Sequence, residues 1–380
     1  MGCQYQEKCG GCCFRELNEA QYQEYKINKI KEILNAGLPS QDYIFEKPVF
    51  INDGTRRRAS FSFEYKKSEL IFGFNENKSD KITDCSYCPM LTEKINNNIN
   101  IIKSFLKAFC QIQVSKKLKG KKITKSSITN GDLLILEAYN GIDIVLETPA
   151  DLDLAHRMEI FDFVNSNADI IRISHRKNSF LDAEPIAEKL KPIIKIADYD
   201  VYVAPGMFLQ ASNQGENALV NLVMQYLGDL KGNIADLFCG IGTFSYPMAK
   251  IKDNKILAVD VNKGLLDGFK TSVNKQMLHN IEIAERNLFK YPLEAQELEN
   301  FNAIVFDPPR AGASALVKEL AKIENFTKLK KIIAVSCNPH SFINDAKTLL
   351  NSGYKLKSIT MVDQFVYSKH IELVALFTTN

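Results

Sequence analysis

The feature that most constrains this 380-residue sequence is an alternation of short apolar runs with longer helical segments after about residue 204. Short buried strands that alternate with helices are typical of βα units, in which the strands form a parallel sheet. In an open α/β sheet, functional residues lie at the carboxyl ends of the strands. We therefore predict an α/β fold for this half, with strands at residues 234–238, 255–260, 281–284, 303–306 and 331–336.

The first half has a different pattern, which predicts a smaller mixed α/β domain. Apolar residues recur at helical spacing in residues 21–38 and 93–109. Between about residues 49 and 74, polar and apolar residues alternate, as in antiparallel strands. Asn140 and Gly141 stand between two apolar runs and form a strong hairpin signal.

We expect two domains, residues 1–204 and 205–380, because the pattern changes near Pro205. No stretch approaches the roughly 18 apolar residues of a membrane span, and cysteines and charges stand where a signal peptide has its apolar core. We therefore expect a cytoplasmic protein, and we expect it to be a monomer. The net charge of +3 is too small to indicate a partner.

Residues 234–244 run from an apolar strand through a glycine turn into a helix, which predicts a cofactor site. Gly240 and Gly242 allow the backbone to approach a ligand closely and to adopt positive φ. Asp260 ends the next strand, where a carboxylate could accept hydrogen bonds from a ribose. A dinucleotide-binding fold would have a third glycine where Ser245 stands, which disfavours NAD. A tight turn that binds nothing is the alternative.

Cysteines cluster near the N-terminus. Cys3, Cys9 and Cys12 have the spacing C-x5-C-x2-C, and Cys85 and Cys88 follow after a long gap. In a reducing compartment, such clusters are metal ligands or nucleophiles rather than disulfides. Four thiolates can hold zinc or an iron–sulfur cluster, and the spacing does not choose between them.

Two further segments stand at strand ends, FDPPRAG at residues 306–312 and VSCNP at residues 335–339. Most lone cysteines are small buried apolar residues. Cys337 follows a strand and precedes a helix N-terminus that would favour its thiolate, so we interpret it as a candidate nucleophile. Glu372 lies in the segment SKHIE at residues 368–372, where a glutamate would usually be exposed and inert.

Together these segments resemble the bacterial RNA uridine-5-methyltransferase family, which includes enzymes for 23S rRNA and for tRNA. Four motifs match in order between Gln210 and Glu372, and DLFCGIGTF resembles the first motif of class I methyltransferases. The resemblance implies a Rossmann-like methyltransferase domain that binds S-adenosylmethionine, with Cys337 as nucleophile and Glu372 as proton-abstracting base. Its cofactor-pocket positions correspond here to Gln210, Phe238, Thr243, Asp260, Asn287 and Asp307. At two of these positions some relatives carry asparagine and glutamate instead of Thr243 and Asp260, and both residues here can still hydrogen-bond.

The same resemblance implies a [4Fe-4S] cluster with the ligands Cys3, Cys9, Cys12 and Cys88. The fourth ligand in the family precedes a proline, as Cys88 precedes Pro89 here. Cys13 and Cys85 are then bystanders, although Cys85 could compete as a ligand because it lies only three residues away. We expect the cluster to be a structural staple, because methyl transfer moves no net electrons. The family also implies that helix 21–38 packs on the catalytic domain.

The chemistry explains these residue types, because carbon 5 of uracil is too poor a nucleophile to attack a sulfonium methyl group unaided. Addition of Cys337 to carbon 6 makes an enolate whose carbon 5 takes the methyl group. Glu372 then removes the hydrogen from carbon 5, and elimination expels the cysteine. The target base must leave its stack to reach such a site. Phe208 is the expected aromatic platform, with a core position as the alternative.

An RNA partner is also expected from two basic runs. Arg56, Arg57 and Arg58 are consecutive, and six lysines fall between Lys116 and Lys125. Such basic runs either bind RNA phosphates or form loops that are exposed to solvent. Since the chain starts at the cysteine cluster, it most resembles the shorter 23S rRNA enzyme, with tRNA as the alternative substrate. An iron–sulfur redox or sensor protein and a non-catalytic RNA-binding protein are alternatives from other classes, and both leave the candidate nucleophile and base without a role.

Overall fold

The computed structural model describes residues 2–39, 42–117 and 123–379. Contacts between residues divide the chain into two compact units. The N-terminal unit consists of Met1–Arg15, Asn52–Ile194 and Tyr202–Ser212, and the C-terminal unit of Glu16–Ile51, Lys195–Val201 and Asn213–Asn380. The division into domains at residues 1–204 and 205–380 stays a prediction.

The helices within the described residues are α1 (Glu19–Gly37), α2 (Glu93–Gln111), α3 (Leu154–Ser166), α4 (Asn213–Leu227), α5 (Ser245–Ala249), α6 (Lys263–Lys275), α7 (Ala295–Leu298), α8 (Ser314–Leu320) and α9 (Pro339–Asn351). The strands there are β1 (Ile44–Phe45), β2 (Val49–Phe50), β3 (Arg58–Lys66), β4 (Glu69–Asn75), β5 (Ile82–Asp84), β6 (Val114–Lys117), β7 (Ile123–Ser126), β8 (Asn130–Ala138), β9 (Gly141–Glu147), β10 (Ile170–Arg176), β11 (Glu184–Glu188), β12 (Ile193–Ile196), β13 (Tyr199–Tyr202), β14 (Asn233–Leu237), β15 (Lys255–Asp260), β16 (Ile281–Glu285), β17 (Ala303–Phe306), β18 (Lys331–Ser336), β19 (Lys355–Asp363) and β20 (Glu372–Thr378). Among these helices, none is long and apolar enough to span a lipid bilayer.

The C-terminal unit is built on a mixed sheet in the order β1-β19-β20-β18-β17-β14-β15-β16, with β2 paired to β19. The five strands from β14 to β18 run parallel, which confirms the alternating pattern, and β20 is antiparallel to both of its neighbours. The carboxyl ends of the parallel strands therefore meet at one edge of the sheet. The strands that follow β14 in sequence lie on both of its sides, β15 on one and β17 on the other, so the strand order reverses at β14. In open α/β sheets, such a reversal leaves a crevice at the carboxyl ends of the strands, and ligands bind there.

Helix α1 packs into the core of this unit, although it precedes the first strand in sequence. The side chain of Asn18 accepts a hydrogen bond from the backbone of Gln21, whose side chain returns one, so the helix begins with a capping box. Ile30 is fully buried in the same core as β14 and β18. A Cβ on Gly37 would lie 2.4 Å from Ile343, so only glycine allows α1 to end this close to α9.

The N-terminal unit contains a sheet in the order β11-β10-β9-β8-β3-β4-β5, against which α2 and α3 pack. The predicted hairpin is confirmed, since β8 and β9 pair from Ala138 and Gly141 onward. Gly141 has a φ of +152°, and a Cβ there would lie 2.4 Å from Ile171. The turn therefore requires glycine for both backbone conformation and space.

Candidate active site and cysteine cluster

The turn after β14 has left-handed backbone at the carboxyl edge of the sheet, with φ of +61° at Phe238, +56° at Gly240 and +87° at Gly242. A Cβ on Gly242 would lie 2.3 Å from the ring of Phe269, so packing against α6 requires glycine there. At Gly240 a Cβ would meet nothing within 4 Å, which leaves room for a ligand against the backbone. Left-handed backbone at a residue as bulky as Phe238 is strained, and such strain is concentrated at ligand sites. Thr243 lies half-buried between this turn and α5.

Asp260 ends β15 and closes the turn. Its Oδ2 accepts a hydrogen bond from the backbone N–H of Gly240 at 3.0 Å, and its Oδ1 accepts one from Asn262 at 2.8 Å. Each carboxylate oxygen can accept a second bond, so this residue can still bind a hydroxyl group. Asn287 lies just beyond the adjacent β16, and its Oδ1 accepts hydrogen bonds from the two backbone N–H groups that close its own turn, both at 3.1 Å.

Two carboxyl groups with raised pKa values lie on β14 and after β17. Asp236 is fully buried, and Ser245 donates a 2.5 Å hydrogen bond to its Oδ2, whereas its Oδ1 has no partner among the described residues. Burial raises the pKa of Asp236 to about 7, and the nearby carboxyl group of Asp307 contributes to the increase. Burial also raises the pKa of Asp307 to about 7. A cationic ligand at this edge would favour the ionised forms of both groups.

The two predicted catalytic residues are neighbours at the adjacent ends of two paired strands. The antiparallel register of β18 and β20 brings Cys337, directly after β18, opposite Glu372, the first residue of β20. Asn338 caps α9 immediately after the cysteine. Burial raises the pKa of Cys337 to about 11, and the carboxyl groups of Glu372 and Asp307 add to the increase, while Arg310 opposes it. The expectation that the helix N-terminus favours the thiolate stays a prediction, and burial and the two carboxyl groups act in the opposite direction on the pKa of Cys337.

Glu372 is buried, and Gln364 donates a hydrogen bond from Nε2 to its Oε1 at 3.0 Å. Burial raises the pKa of Glu372 to about 8, and the negative charge of Asp307 acts in the same direction. The hydrogen bond from Gln364 and the positive charge of Arg310 act against this increase. The exposure expected for this glutamate from its position alone is thus wrong, because β20 places the carboxyl group inside the unit.

Sequence reasoning missed the polar groups behind Glu372. Asp363 ends β19 and is fully buried, with its Oδ1 3.0 Å from Lys26 Nζ and its Oδ2 accepting a 2.6 Å hydrogen bond from the hydroxyl group of Tyr22. Gln364 follows it directly. The available signal was a pair of polar residues at the end of an apolar strand, but the partners of Asp363 on α1 are more than 300 residues away in sequence.

Gln210 belongs to the N-terminal unit, where arginines hold its segment. Arg57 donates from Nε to the Gln210 carbonyl at 3.2 Å, and Arg58 donates to the preceding carbonyl at 2.6 Å. The guanidinium of Arg58 also lies 4.9 Å from the ring centroid of Phe208, which is 64% exposed. A phosphate contact is therefore wrong for Arg57, which is 2% exposed, and a core position is wrong for Phe208.

The second basic run falls partly outside the described residues. The backbones of β6 and β7 pair as an antiparallel hairpin at its two ends. Lys119, Lys121 and Lys122 lie between the two described segments. Phosphate contacts by this run stay a prediction.

The four predicted cluster cysteines lie near one another in the N-terminal unit. Burial raises the pKa of Cys12, and the thiols of Cys88, Cys9 and Cys3 raise it further. The Sγ of Cys9 accepts a hydrogen bond from the backbone N–H of Gly11 at 3.4 Å. In the described parts of the chain, no group of three or more His, Cys, Asp or Glu side chains has the geometry of a metal site. The iron–sulfur cluster is therefore not confirmed.

Cys88 and Cys85 have different surroundings. Cys88 is half-buried, its backbone N–H donates to the side chain of Asn96 at 2.8 Å, and burial raises the pKa of its thiol. Cys85 is buried and donates its S–H to the carbonyl of Tyr87 at 3.1 Å, although the other cysteines also act on it electrostatically. The guanidinium groups of Arg15 and Arg56 lie near the thiols of the predicted ligands. These two guanidinium groups would thus stabilise negative charge on those sulfur atoms.

Comparison with known proteins agrees with this geometry. The family model described as tRNA (uracil-5-)-methyltransferase matches residues 18–379. An uncharacterized RNA methyltransferase of Agrobacterium fabrum is 33% identical over 374 residues, which cover 97% of this chain and 81% of the relative. The 23S rRNA (uracil(1939)-C(5))-methyltransferase RlmD of Aliivibrio fischeri is 26% identical over 386 residues, with 99% and 81% covered.

Among solved structures, the tRNA (uracil-54, C5)-methyltransferase of Pyrococcus abyssi in complex with S-adenosyl-L-homocysteine matches with a TM-score of 0.72. It is 24% identical, and the match covers 98% of this chain and 85% of that one. The chain described here therefore has the mixed α/β fold of that methyltransferase.

Proposed function

Because the chain belongs to the tRNA (uracil-5-)-methyltransferase family, we propose that it transfers a methyl group from S-adenosylmethionine to carbon 5 of a uridine in RNA. The observation that carries the proposal is that a thiol and a carboxyl group lie side by side, since Cys337 directly follows Ser336 of β18 and Glu372 directly precedes its partner Leu373 in β20. A nucleophile and a base are the two groups that this methylation needs besides a methyl donor.

The carboxyl edge of the sheet fits S-adenosylmethionine in three respects. The space above Gly240 admits a ligand against the backbone, Asp260 can accept from a ribose, and the unpartnered oxygen of Asp236 suits a positively charged group. Within the C-terminal unit, the residues that would hold the methyl donor are Phe238, Thr243, Asp260, Asn287 and Asp307. When bound, S-adenosylmethionine supplies the electrophilic methyl group and a positive charge that lowers the pKa of nearby acids.

In the first step, Sγ of Cys337 adds to carbon 6 of the uracil. The thiol must lose its proton beforehand, and a pKa of about 11 leaves only about one molecule in 10⁴ ionised at pH 7. Arg310 favours the thiolate, so this arginine contributes to the first step as a positive neighbour. As the S–C6 bond forms, electrons of the C5–C6 double bond move into the enolate, and carbon 5 becomes able to attack the methyl group.

In the last step, ionised Glu372 takes the hydrogen from carbon 5. The electrons of that C–H bond restore the C5–C6 double bond, the S–C6 bond breaks, and Cys337 leaves as a thiolate. The raised pKa of Glu372 makes it a strong enough base for a carbon-bound hydrogen, provided that it is ionised when the step occurs. The product is 5-methyluridine.

We propose a uridine of 23S rRNA as the substrate, with tRNA as the alternative. Support comes from the likeness to the 23S rRNA methyltransferase of A. fischeri along nearly the whole chain. Phe208 offers an exposed ring with Arg58 beside it, and an unstacked base can bind to such a ring.

The proposed function is tested with methyl-labelled S-adenosylmethionine and unmodified transcripts of 23S rRNA and tRNA, followed by digestion to nucleosides. We expect labelled 5-methyluridine from the 23S transcript. Label in tRNA alone would change the substrate, and label in neither RNA, or in another nucleoside, would contradict the proposal. The Cys337→Ala protein is the control.

We also infer that Cys3, Cys9, Cys12 and Cys88 hold a [4Fe-4S] cluster. The thiols of Cys88, Cys9 and Cys3 act electrostatically on that of Cys12, a backbone N–H donates to the Cys9 sulfur atom, and Arg15 and Arg56 lie nearby, which suits an anionic cluster. The ligands would join residues 3–12 to residue 88 within the N-terminal unit. A structural role follows, because the proposed reaction moves no net electrons.

A further inference from the structure

We propose that Gln364 is a positioning residue that orients Glu372 for removal of the carbon 5 hydrogen. The inference rests on the proposed function, in which Glu372 is the base. The Nε2 of Gln364 lies 3.0 Å from Oε1 of Glu372, and both side chains are about 5% exposed. The hydrogen bond fixes one carboxyl oxygen, so the other oxygen is the one left to take a hydrogen.

The same hydrogen bond acts on the protonation of Glu372. The charged and titratable groups that act on this carboxyl group are Asp307, Arg310 and Cys337, from the ends of β17 and β18 and the loop after β17. An N–H donor favours the ionised carboxylate and therefore opposes burial and Asp307. Without Gln364, Glu372 would be both freer to rotate and harder to ionise.

A buried network holds Gln364 in place. The preceding residue, Asp363, is bound by Lys26 and Tyr22 of α1. Lys26 Nζ also donates to the carbonyl of His370 at 2.6 Å, and the hydroxyl oxygen of Tyr22 accepts from the backbone N–H of Tyr367 at 2.7 Å. Helix α1 therefore fixes both ends of the segment that connects Gln364 to Glu372.

The test is Gln364→Met, because methionine has a similar length and no hydrogen-bond donor. We expect turnover at neutral pH to fall by about 10- to 100-fold, while methyl transfer in a single turnover stays within about threefold of wild type. Removal of the carbon 5 hydrogen should become the slow step in this variant. The protein–RNA adduct that already carries the labelled methyl group should therefore accumulate and be visible on a denaturing gel. The acid limb of the pH–rate profile should move to higher pH.

Gln276→Met is the matched control, because this glutamine bonds to the backbone of Asp200 elsewhere in the same unit, and it should trap no adduct. Gln364→Asn has a side chain shorter by one methylene group, so its amide no longer reaches Glu372, and it should behave like Gln364→Met. This second variant keeps the test valid if the methionine variant does not fold. Reduced turnover without adduct and with an unchanged pH profile would overturn the inference. Glu372→Gln is measured in parallel. If it traps adduct and the Gln364 variants do not, only the positioning role of Gln364 is contradicted. If Glu372→Gln traps no adduct, the proposed role of Glu372 as the base is contradicted.

Discussion

At the scale of residues, Cys337 and Glu372 act at different stages of the proposed reaction. Cys337→Ala removes the nucleophile, so we expect no adduct with RNA and a loss of activity of at least about 10³-fold. Glu372→Gln leaves thiol addition and methyl transfer intact, but an amide is a very poor base. A protein–RNA band that carries the methyl label should therefore appear on a denaturing gel for Glu372→Gln and be absent for Cys337→Ala.

Retained binding of S-adenosylmethionine by both variants, measured by calorimetry, is the control for folding. Normal turnover by Glu372→Gln would mean that another group is the base. His370 would be the next candidate, since its ring lies 3.0 Å from the guanidinium of Arg310.

Phe208 gives a second test at this scale. Phe208→Leu removes the aromatic face, and stacking of one base on a ring contributes about 1–3 kcal/mol, so kcat/KM for RNA should fall by about 10- to 100-fold. Phe208→Tyr keeps the face and should stay close to wild type. Equal activity of the leucine and tyrosine variants would exclude stacking. Binding of S-adenosylmethionine should not change in either variant.

The sequence indicated Cys337 as a candidate through its place between a strand and a helix, whereas Glu372 was predicted only through the family resemblance. The sequence did not indicate their environment, because burial and the partners of a buried group come from distant parts of the chain. The Cys337 thiol therefore has a raised pKa where a local argument from the helix N-terminus predicted the opposite. The same reason explains why Arg57, in a basic run, is buried against a backbone carbonyl.

At the scale of elements, the structure assigns α1 a role in stability through Lys26, which is 1% exposed and paired with the fully buried Asp363. Lys26→Met would leave a buried carboxylate without its charged partner, which costs about 3–5 kcal/mol. We expect the free energy of unfolding, from chemical denaturation, to fall by this amount. Lys29→Met removes an exposed pair with Glu32 on the same helix and should change it by less than about 0.5 kcal/mol. Similar effects of both variants would contradict the role of the buried pair.

The cysteine cluster is tested by comparing two cysteines only three residues apart. Anaerobically purified protein should be brown and contain about four irons per chain. Cys88→Ser should cost iron content and the visible absorption, whereas Cys85→Ser should be tolerated, because the Cys85 thiol donates to a carbonyl. Zinc in place of iron would contradict the cluster, and equal loss from both variants would mean that the fourth ligand is wrongly chosen.

The elements themselves were largely predictable, because a repeating hydrophobic pattern is a local property. The five parallel strands lie within about two residues of the predicted runs, and both predicted helices of the first half exist as α1 and α2. Periodicity does not say what an apolar face packs against. The burial of Ile30 in the core of the C-terminal unit, and the pairing of β1 and β2 with β19, required the structure.

At the scale of the whole molecule, the carboxyl groups with raised pKa values make stability depend on pH. Asp236 and Asp307 have pKa values of about 7 and Glu372 of about 8, whereas their ordinary values lie near 4. Between about pH 4 and pH 8, the folded state therefore binds more protons than the unfolded state. The contribution of these groups to stability is therefore fully present below about pH 4 and is lost as pH rises through 7 to 8.

The expected outcome is a melting temperature that falls between pH 5.5 and pH 8.5, measured by scanning calorimetry at constant ionic strength. Asp236→Asn removes the fully buried member, whose ionisation opposes folding by a few kcal/mol at high pH, so the slope should become shallower. Asp267→Asn, which changes an exposed carboxylate on α6, should leave the slope as it is. An identical slope in Asp236→Asn and wild type would mean that Asp236 ionises in the folded protein as readily as in the unfolded chain. The proposed preference of this edge of the sheet for a cationic methyl donor would then lose its electrostatic basis.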